Sequence, residues 1–231
     1  MPAAPAIPQY LHDTYWWAYV HPNAVRLFER QWLVNLILWG NFPRLRDGAL
    51  DTLGESLEGR TLQVACVYGD FTPRLAERLG AEGTLDVVDV LPIQLENLRD
   101  KLGHVPAVQL LHGDASNLGI ADATYERVVL FFLLHEVPED VRRRALAEAM
   151  RVLKPDGRLV IVDYHRPARW HPLRPLMRFI LAHFEPFALD LWERGMEAWL
   201  PAGAVISDRR TAWGGLYQQL VVVHGAGENP R

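Results

Sequence analysis

The sequence has little of several features that would place it in a class at once. Cys66 is the only cysteine among 231 residues, so no intramolecular disulfide can form, which fits a reducing cytoplasm. Basic residues are not in excess, because 24 lysines and arginines stand against 28 aspartates and glutamates. The net charge of −4 argues against a general nucleic-acid-binding protein.

Long apolar runs are also missing. The longest, 32–39, is interrupted by Asn35 and falls far short of the roughly 20 residues that span a bilayer. No basic-then-apolar targeting segment is visible at the N-terminus. These absences predict a cytoplasmic protein. With 49% hydrophobic residues the chain can still bury a core, and its length favours one α/β domain over two.

The chain does contain an alternation of apolar strands and helices. Strands are predicted at 61–67, 84–90, 107–112, 125–134 and 158–164, with helices at 73–80, 92–102 and 138–152. This alternation is typical of a parallel sheet with helices on both faces. Two later segments, 204–210 and 216–224, read as an antiparallel pair. The prediction is therefore an α/β fold with a mostly parallel, seven-stranded, Rossmann-like sheet.

Helical segments surround this alternation. Residues 23–40 carry apolar side chains at helical spacing, and a second helix is predicted at 42–57. We therefore predict an N-terminal helical cap, 1–60, and a Rossmann-like domain, 61–231, with a helical insert at about 167–203. Aromatic residues are dense in the cap, which suits either core packing or an interfacial surface.

Polar residues recur where the predicted parallel strands end, and ligands of open α/β sheets bind at these carboxyl ends. The positions are Tyr68, Gly69 and Asp70; Asp89 and Val90; Asp114 and Ala115; His135 and Glu136; and Asp163 and His165. Asp89 stands 20 residues after Gly69, the spacing at which an acid meets a ribose diol. One such carboxylate can be a helix cap or a solvated loop residue, but five positions in register predict a ligand site.

These motifs together resemble the class I S-adenosylmethionine-dependent methyltransferases. The matching phrases are GDA at 113–115, LLHEVPED at 133–140 and RVLKPDGRLVIVDYHRP at 151–167. The last is most similar to quinone-biosynthesis methyltransferases. The resemblance implies that Asp89 binds the ribose hydroxyls and that Asp114 accepts a hydrogen bond from the adenine amine. The cofactor-binding positions would be Cys66, Tyr68, Gly69, Asp70, Asp89, Val90, Asp114 and Ala115.

The glycine-rich turn of that family is altered here. The family pattern is an acid in the first strand followed by glycines at alternate positions. We align it with Cys66, Tyr68, Asp70 and Thr72. In that alignment the Tyr68 ring lies where the methionine part of the cofactor is usually held, which disfavours ordinary methyl transfer. Alternatively, Tyr68 plugs an inactive cofactor site.

The phrase VACVYGDFT at 64–72, taken with the aromatic segment 10–41, resembles the RquA family of rhodoquinone-biosynthesis proteins. This resemblance implies that S-adenosylmethionine donates its amino group, replacing a methoxy group of ubiquinone to give rhodoquinone, with a manganese ion required. Tyr68, Asp70 and His135 would then be catalytic. Oxygen and nitrogen ligands suit Mn²⁺, and the candidates are Asp70, His135, Glu136, Asp163 and His165. Alternatively, His135 caps the fourth strand and Glu136 serves the next helix N-terminus.

Two other functions stay open: a conventional methyltransferase acting on a quinone or other lipid-like ring, and a non-catalytic methyltransferase-like subunit that binds a quinone or a partner. Ubiquinone lies in the bilayer, so we expect peripheral contact with the inner membrane through the cap, 10–39, or the insert, 167–200. The insert combines Arg166, Arg169, Arg174 and Arg178 with Trp170, Leu173, Leu176, Met177, Ile180 and Phe184. A buried amphipathic helix would carry the same apolar stripe.

Overall fold

A seven-stranded sheet forms the centre of the structure, a computed structural model that describes residues 5–15 and 22–225. Its strands are β1 Leu57–Val64, β2 Leu79–Asp89, β3 Val108–His112, β4 Tyr125–Phe131, β5 Leu153–Tyr164, β6 Ala204–Ala212 and β7 Tyr217–His224. Their order is β3-β2-β1-β4-β5-β7-β6. The first five strands run parallel, and β7 runs antiparallel to both β5 and β6. The predicted α/β fold with a mostly parallel sheet is confirmed.

The helices connect the strands and precede them. They are α1 Gln9–Thr14, α2 Pro22–Phe28, α3 Gln31–Ile37, α4 Phe42–Leu53, α5 Phe71–Glu77, α6 Pro92–Leu102, α7 Glu139–Val152, α8 Arg174–Phe184 and α9 Ala188–Arg194. Proline opens α2 and α6, as it can because the first turn of a helix needs no N–H donor. Within the described ranges, none of these helices is both long enough and apolar enough to cross a membrane.

The core lies on both faces of the sheet, as β5 shows. Leu159 and Ile161 pack on the side of α7, whereas Val160 and Val162 pack on the side of α4, α5 and α8. Successive strand side chains point to opposite faces, so all four are fully buried. This explains why β5 reads as an unbroken apolar run from Leu159 to Val162. Helix α4 of the predicted cap packs directly on β5 and β7.

Several predicted boundaries differ from the structure. The helix predicted at 23–40 is two helices, because Arg30 between α2 and α3 is extended. The helix predicted at 42–57 ends at Leu53, where Gly54 follows with a φ of 127°. β1 begins at Leu57, inside the predicted cap, and the domain division at residue 60 stays a prediction. Trp16 and Trp17 of the aromatic cap lie outside the described residues.

Left-handed backbone ends the two central strands. The first strand was predicted to reach residue 67 and the fourth to reach 134. β1 instead stops at Val64 because Ala65 has a φ of 71°, and β4 stops at Phe131 because Phe132 has a φ of 56°. L-residues other than glycine rarely adopt such angles, and a strand cannot contain them. β1 and β4 are neighbours at the point where the strand order reverses, which is where ligands bind in this architecture.

Candidate cofactor and substrate site

Two cavities meet at the carboxyl ends of the central strands. The smaller, about 70 Å³, is lined by Asp89, Asp114 and neighbours from β2, the loop after β3 and α1. The larger, about 440 Å³, is lined mainly by apolar and aromatic side chains from α3, α8 and the strand ends. Ala65, Cys66 and Glu136 line both. The site therefore has a small compartment with carboxylates and a large apolar compartment with a shared wall.

Asp89 lies at the end of β2 with its carboxylate held by the backbone. Oδ2 accepts a hydrogen bond from the Cys66 N–H at 2.6 Å, and Oδ1 accepts one from the Leu91 N–H at 2.8 Å. Burial raises the pKa of Asp89 to about 6, although the two N–H donors act in the opposite direction. The carboxylate is thus fixed in place and largely ionised at neutral pH.

Asp114 faces the same small cavity from the loop after β3. Its Oδ1 accepts a hydrogen bond from the Ser116 N–H at 2.7 Å, which fixes a tight turn. Val90 and Ala115 also line this cavity. The structure therefore brings together four of the predicted cofactor-binding residues, including the two that the resemblance assigns to the ribose and the adenine. Their binding roles remain predictions.

The glycine pattern of the family fits the turn three residues earlier than our sequence alignment placed it. The acid belongs in the first strand, but β1 ends at Val64, so Cys66 lies beyond the strand. Left-handed backbone, which glycine adopts without strain, occurs at Ala65 and at Gly69, where φ is 82°. The pattern therefore falls on Gln63, Ala65, Val67 and Gly69 and not on Cys66, Tyr68, Asp70 and Thr72. Of its three glycines, only the last is kept.

With the family pattern aligned in this way, a different set of residues replaces its acid and its first two glycines. Gln63, a neutral amide, takes the place of the acid; it is fully buried and its Nε2 donates to the Ala65 carbonyl at 2.9 Å. Ala65 and Val67 carry side chains where glycines would let a ligand approach the backbone. Gly69 must stay glycine, because a Cβ there would lie 2.8 Å from Cζ of Phe42.

The turn is clamped between the cap and α6. The Glu29 carboxylate accepts a hydrogen bond from the Gly69 N–H at 3.2 Å and pairs with Lys101 at 2.6 Å. Lys101 Nζ also donates to the Gly69 carbonyl at 2.8 Å. The Tyr68 ring stacks on Phe28, with 5.9 Å between ring centroids, and lines the large cavity. Sequence reasoning missed Glu29 and Lys101, because only the fold brings them to the turn.

Asp70 does not reach either cavity as the described residues form them. Its two oxygens each lie 2.7 Å from Nη1 of Arg46, and Arg74 donates to Oδ2 at 2.7 Å. Burial alone would raise the pKa of Asp70, but the two arginines outweigh burial and hold that pKa below its usual value. The structure thus separates Asp70 from Tyr68 and His135, the other residues predicted to be catalytic.

His135 and Asp163 form a buried pair at the ends of β4 and β5. Nδ1 of His135 donates to Oδ1 of Asp163 at 2.8 Å, and the Leu134 and Tyr164 N–H groups donate to the same carboxylate at 2.9 and 2.7 Å. Burial lowers the pKa of His135, but the Asp163 carboxylate outweighs it, with help from Glu136 and Glu185, and raises the pKa to about 9. His135 is therefore an imidazolium at neutral pH, and it lines the large cavity.

Other polar groups support this end of the cavity. Oε1 of Glu136 lies 3.6 Å from Nε2 of His135. Glu185 accepts a hydrogen bond from the Tyr15 hydroxyl at 2.7 Å, and both side chains line the cavity. Arg142, fully buried, donates to the Leu134 carbonyl at 2.7 Å and so holds the 3-10 turn that carries His135. In the sequence, Arg142 is one of three consecutive arginines and gave no signal of this role.

The five candidate manganese ligands do not come together. No three histidine, cysteine, aspartate or glutamate side chains among the described residues form a group that could hold a metal ion. The Asp163 carboxylate is occupied by N–H donors, and the two arginines occupy Asp70. Nδ1 of His165 lies 2.7 Å from the Gly215 carbonyl. The residues present therefore do not fit the ion, and no chemical step is assigned to it.

Comparisons with known proteins agree with this architecture. Residues 61–157 match a family model described as a methyltransferase domain. A solved S-adenosylmethionine-dependent methyltransferase from Aquifex aeolicus aligns over 87% of this chain and 97% of its own, with a TM-score of 0.56 and 18% identity. The chain has the class I methyltransferase fold. The [4+2]-cyclase SpnF also aligns, over 80% of this chain and 81% of its own, with a TM-score of 0.59 and 17% identity.

The sequence also has curated relatives that are named for a quinone. The demethylmenaquinone methyltransferase of Staphylococcus epidermidis is 29% identical over 173 residues, which cover 75% of this chain and 68% of that protein. The chain thus has a relative that is named as a methyltransferase of demethylmenaquinone. The comparisons do not test the individual site residues.

Proposed function

We propose that this chain is an S-adenosylmethionine-dependent transferase that acts on a quinone. The observation that carries the proposal is the shared wall of the two cavities. Asp89 and Asp114 line the small compartment, where their carboxylates suit the hydroxyl and amine groups of a nucleoside, and it adjoins an apolar compartment of about 440 Å³ across Ala65, Cys66 and Glu136. Apolar pockets with a few polar groups suit flat, lipid-like ligands. The staphylococcal relative is named for a quinone, demethylmenaquinone, and this name favours the same substrate class.

The proposed reaction replaces a methoxy group of ubiquinone with the amino group of S-adenosylmethionine, giving rhodoquinone. The altered turn supports this choice. Gln63 removes the acid of the family pattern, and Ala65 and Val67 fill the space of two glycines, so the methionine end of the donor must bind differently. Amino transfer needs the α-amino nitrogen, rather than the sulfonium methyl, next to the ring carbon. A changed turn would move the methionine end of the donor, and the retained carboxylates of the nucleoside compartment would still hold its other end. This combination would bring the α-amino nitrogen to the ring carbon.

The large cavity supplies groups for this displacement. In the displacement, a ring carbon–nitrogen bond forms and the carbon–methoxy bond breaks, which leaves the donor attached through its α-carbon to the nitrogen on the ring. The donor ammonium gives up two protons, of which methoxide takes one to leave as methanol. The α-carbon–nitrogen bond must then break as well: the N–H and Cα–H hydrogens pass with their electrons to the quinone, and water hydrolyses the resulting imine to a 2-oxo acid and the aminoquinol, the reduced form of rhodoquinone. The His135 imidazolium faces the cavity and is placed to donate a hydrogen bond to a quinone oxygen as negative charge develops there. Glu136, at the shared wall, is placed to accept the other proton. Asp163 acts as a positioning residue, because it holds the His135 ring.

A conventional quinone methyltransferase is the second candidate, favoured by the name of the staphylococcal relative. A non-catalytic subunit is the third, favoured by the small size of the nucleoside compartment, about 70 Å³, with Tyr10 and Leu11 of α1 in its wall. Both alternatives keep the fold and the apolar cavity. They differ from the leading proposal in the group that S-adenosylmethionine gives up: a methyl group in the second candidate and none in the third, instead of the amino group.

A double-label experiment separates the three. The full chain is incubated with a short-tailed ubiquinone and S-adenosylmethionine carrying ¹⁵N in the amino group and ¹³C in the methyl group, and the quinone is analysed by mass spectrometry. We expect ¹⁵N in the product. Methyl label in the quinone would identify a conventional methyltransferase. The absence of both labels, together with no calorimetric binding of S-adenosylmethionine, would identify a non-catalytic subunit.

Two variants and a metal arm complete the experiment. Asp89→Ala should abolish label transfer, whereas Asp100→Ala, an exposed acid on α6, should not. The manganese requirement implied by the resemblance stays a prediction. Parallel reactions with added Mn²⁺ and with a chelator test it directly.

The proposed substrate also bears on location. A polyprenyl quinone stays in the bilayer, so the reaction requires contact between the cavity and a membrane. We therefore propose that the chain works in the cytoplasm, peripheral to the inner membrane. Cell fractionation, with and without a high-salt wash of the membranes, checks this location.

A further inference from the structure

Large apolar side chains are exposed in two parts of the chain. Among residues 5–15 and 22–225, nine of the ten exposed large apolar side chains fall within 27–39 or 170–184. They are Leu27, Trp32, Leu36, Ile37 and Trp39 in the first part and Trp170, Leu176, Phe179 and Phe184 in the second. We call these nine the apolar rim. Contiguous exposed apolar patches on soluble proteins mark interaction surfaces.

The two parts of the rim border the same opening. Leu36 from α3 and Phe184 from α8 are 64% and 54% exposed, yet both line the large cavity, so the cavity reaches the surface at these helices. The Trp213 ring contacts Trp39 at 5.7 Å and His171 at 5.4 Å between centroids. It therefore joins the end of α3 to the start of the helical insert. Four of the nine rim side chains line the cavity, namely Leu36, Ile37, Trp39 and Phe184, so the apolar rim borders the cavity mouth.

The rim lies beside a block of uncompensated positive charge. Residues 165–184 contain four arginines and no aspartate or glutamate, although the whole chain carries a net charge of −4. Arg166, Arg169, Arg174 and Arg178 form no ion pair with any residue in the described ranges. All but Arg174 are exposed. Unpaired arginines beside exposed tryptophans complement a surface that is anionic outside and apolar inside.

We propose that the apolar rim and these four arginines dock the chain on an anionic lipid bilayer, with the cavity mouth facing the membrane. Tryptophan suits the interfacial region, and arginine suits anionic headgroups. A symmetric contact between two copies of the chain is disfavoured, because it would bring the same unpaired arginines against each other. The inference rests on the proposed function in one respect: docking would give a membrane quinone its route into the cavity.

The test is co-sedimentation of the full chain with vesicles that contain neither quinone nor S-adenosylmethionine. Vesicles of phosphatidylcholine with phosphatidylglycerol should bind the chain, and phosphatidylcholine alone should bind it much less. The two-arginine variant, Arg169→Gln with Arg178→Gln, should bind anionic vesicles about 25-fold more weakly, from about fivefold for each arginine at a charged surface. The two-aromatic variant, Trp32→Ser with Phe179→Ser, should bind the same anionic vesicles about 25-fold more weakly, because each half-exposed ring inserts only part of its area into the bilayer.

Matched controls come from the rest of the surface. Arg99→Gln with Arg158→Gln changes the net charge equally at exposed positions on α6 and β5, and Val205→Ser removes the one exposed large apolar side chain outside the rim in the described part of the chain. These controls should leave vesicle binding within about twofold of the parent. Thermal unfolding of every variant shows whether the fold is intact.

Three results would overturn the inference. One is a parent chain that does not bind anionic vesicles. Another is equal weakening by the rim variants and their controls. The third is a parent dimer, seen by analytical ultracentrifugation, that the two-aromatic variant dissociates, because the rim would then be a contact between copies. Because these vesicles hold no substrate, vesicle binding without label transfer would refute only the proposed reaction, and label transfer without vesicle binding would refute only the docking surface.

Discussion

The buried His135–Asp163 pair makes folding stability depend on pH, and the size of the effect follows from the structure. The pKa of His135 rises from 6.5 to about 9 in the folded chain, mainly because the Asp163 carboxylate outweighs the cost of burial. A raised pKa means that folding favours the protonated form. The stabilisation is therefore complete below about pH 6.5 and is lost as the pH rises through about 9. At about 1.4 kcal/mol per pKa unit, it amounts to about 3 kcal/mol.

The perturbation that isolates this term is His135→Gln, which removes the titrating ring and keeps a side chain able to donate. Urea unfolding, followed by tryptophan fluorescence from pH 6 to 10, gives the free energy of unfolding of parent and variant. The difference between them should shrink by about 3 kcal/mol across this range, because other titrating groups contribute equally to both proteins. His165→Gln, at the same edge of the sheet, serves as the control and should track the parent. Parallel pH profiles for parent and His135→Gln would refute the reasoning.

The remaining predictions concern binding and transfer. Asp89→Ala should weaken S-adenosylmethionine binding at least about tenfold by calorimetry, since hydrogen bonds to a charged group contribute about 1.5–3 kcal/mol each; unchanged affinity would remove Asp89 from the site. The parent should bind less tightly below about pH 6, where Asp89 becomes protonated, and this pH dependence should vanish in Asp89→Asn. Gln63→Asp with Ala65→Gly and Val67→Gly should move label transfer from nitrogen toward methyl; undiminished ¹⁵N transfer would show that the turn does not select the donor group. Transfer should fall above about pH 9 as His135 loses its proton, and a flat rate to pH 10 would speak against the imidazolium role. The two-arginine variant should slow the reaction of vesicle-held, long-tailed ubiquinone far more than that of a soluble short-tailed analogue; equal slowing would place its effect inside the site.

Local patterns in the sequence were enough to predict the fold and to place Asp89 and Asp114 in the small compartment of the site. Apolar runs alternating with helical periods predict a parallel sheet, because burial on both faces favours apolar residues at most positions of a central strand. Once the strands are parallel, their carboxyl ends share one edge. Asp89 and Asp114 could therefore be expected in one compartment, where the structure places them. The antiparallel pair at the C-terminal end was also predicted, and the pairing of β6 with β7 confirms it.

Tertiary structure decided what each side chain at that edge can do. The turn register depends on the left-handed backbone at Ala65, which the strand propensity of its neighbours hides. Asp70 and Asp163 look alike in the sequence, but one pairs with Arg46, 24 residues away, and the other orders His135, 28 residues away. Secondary structure follows from hydrophobic spacing within a dozen residues, so a sequence determines it locally. A charged group acts according to the partners within a few ångströms, and only the folded chain chooses those partners.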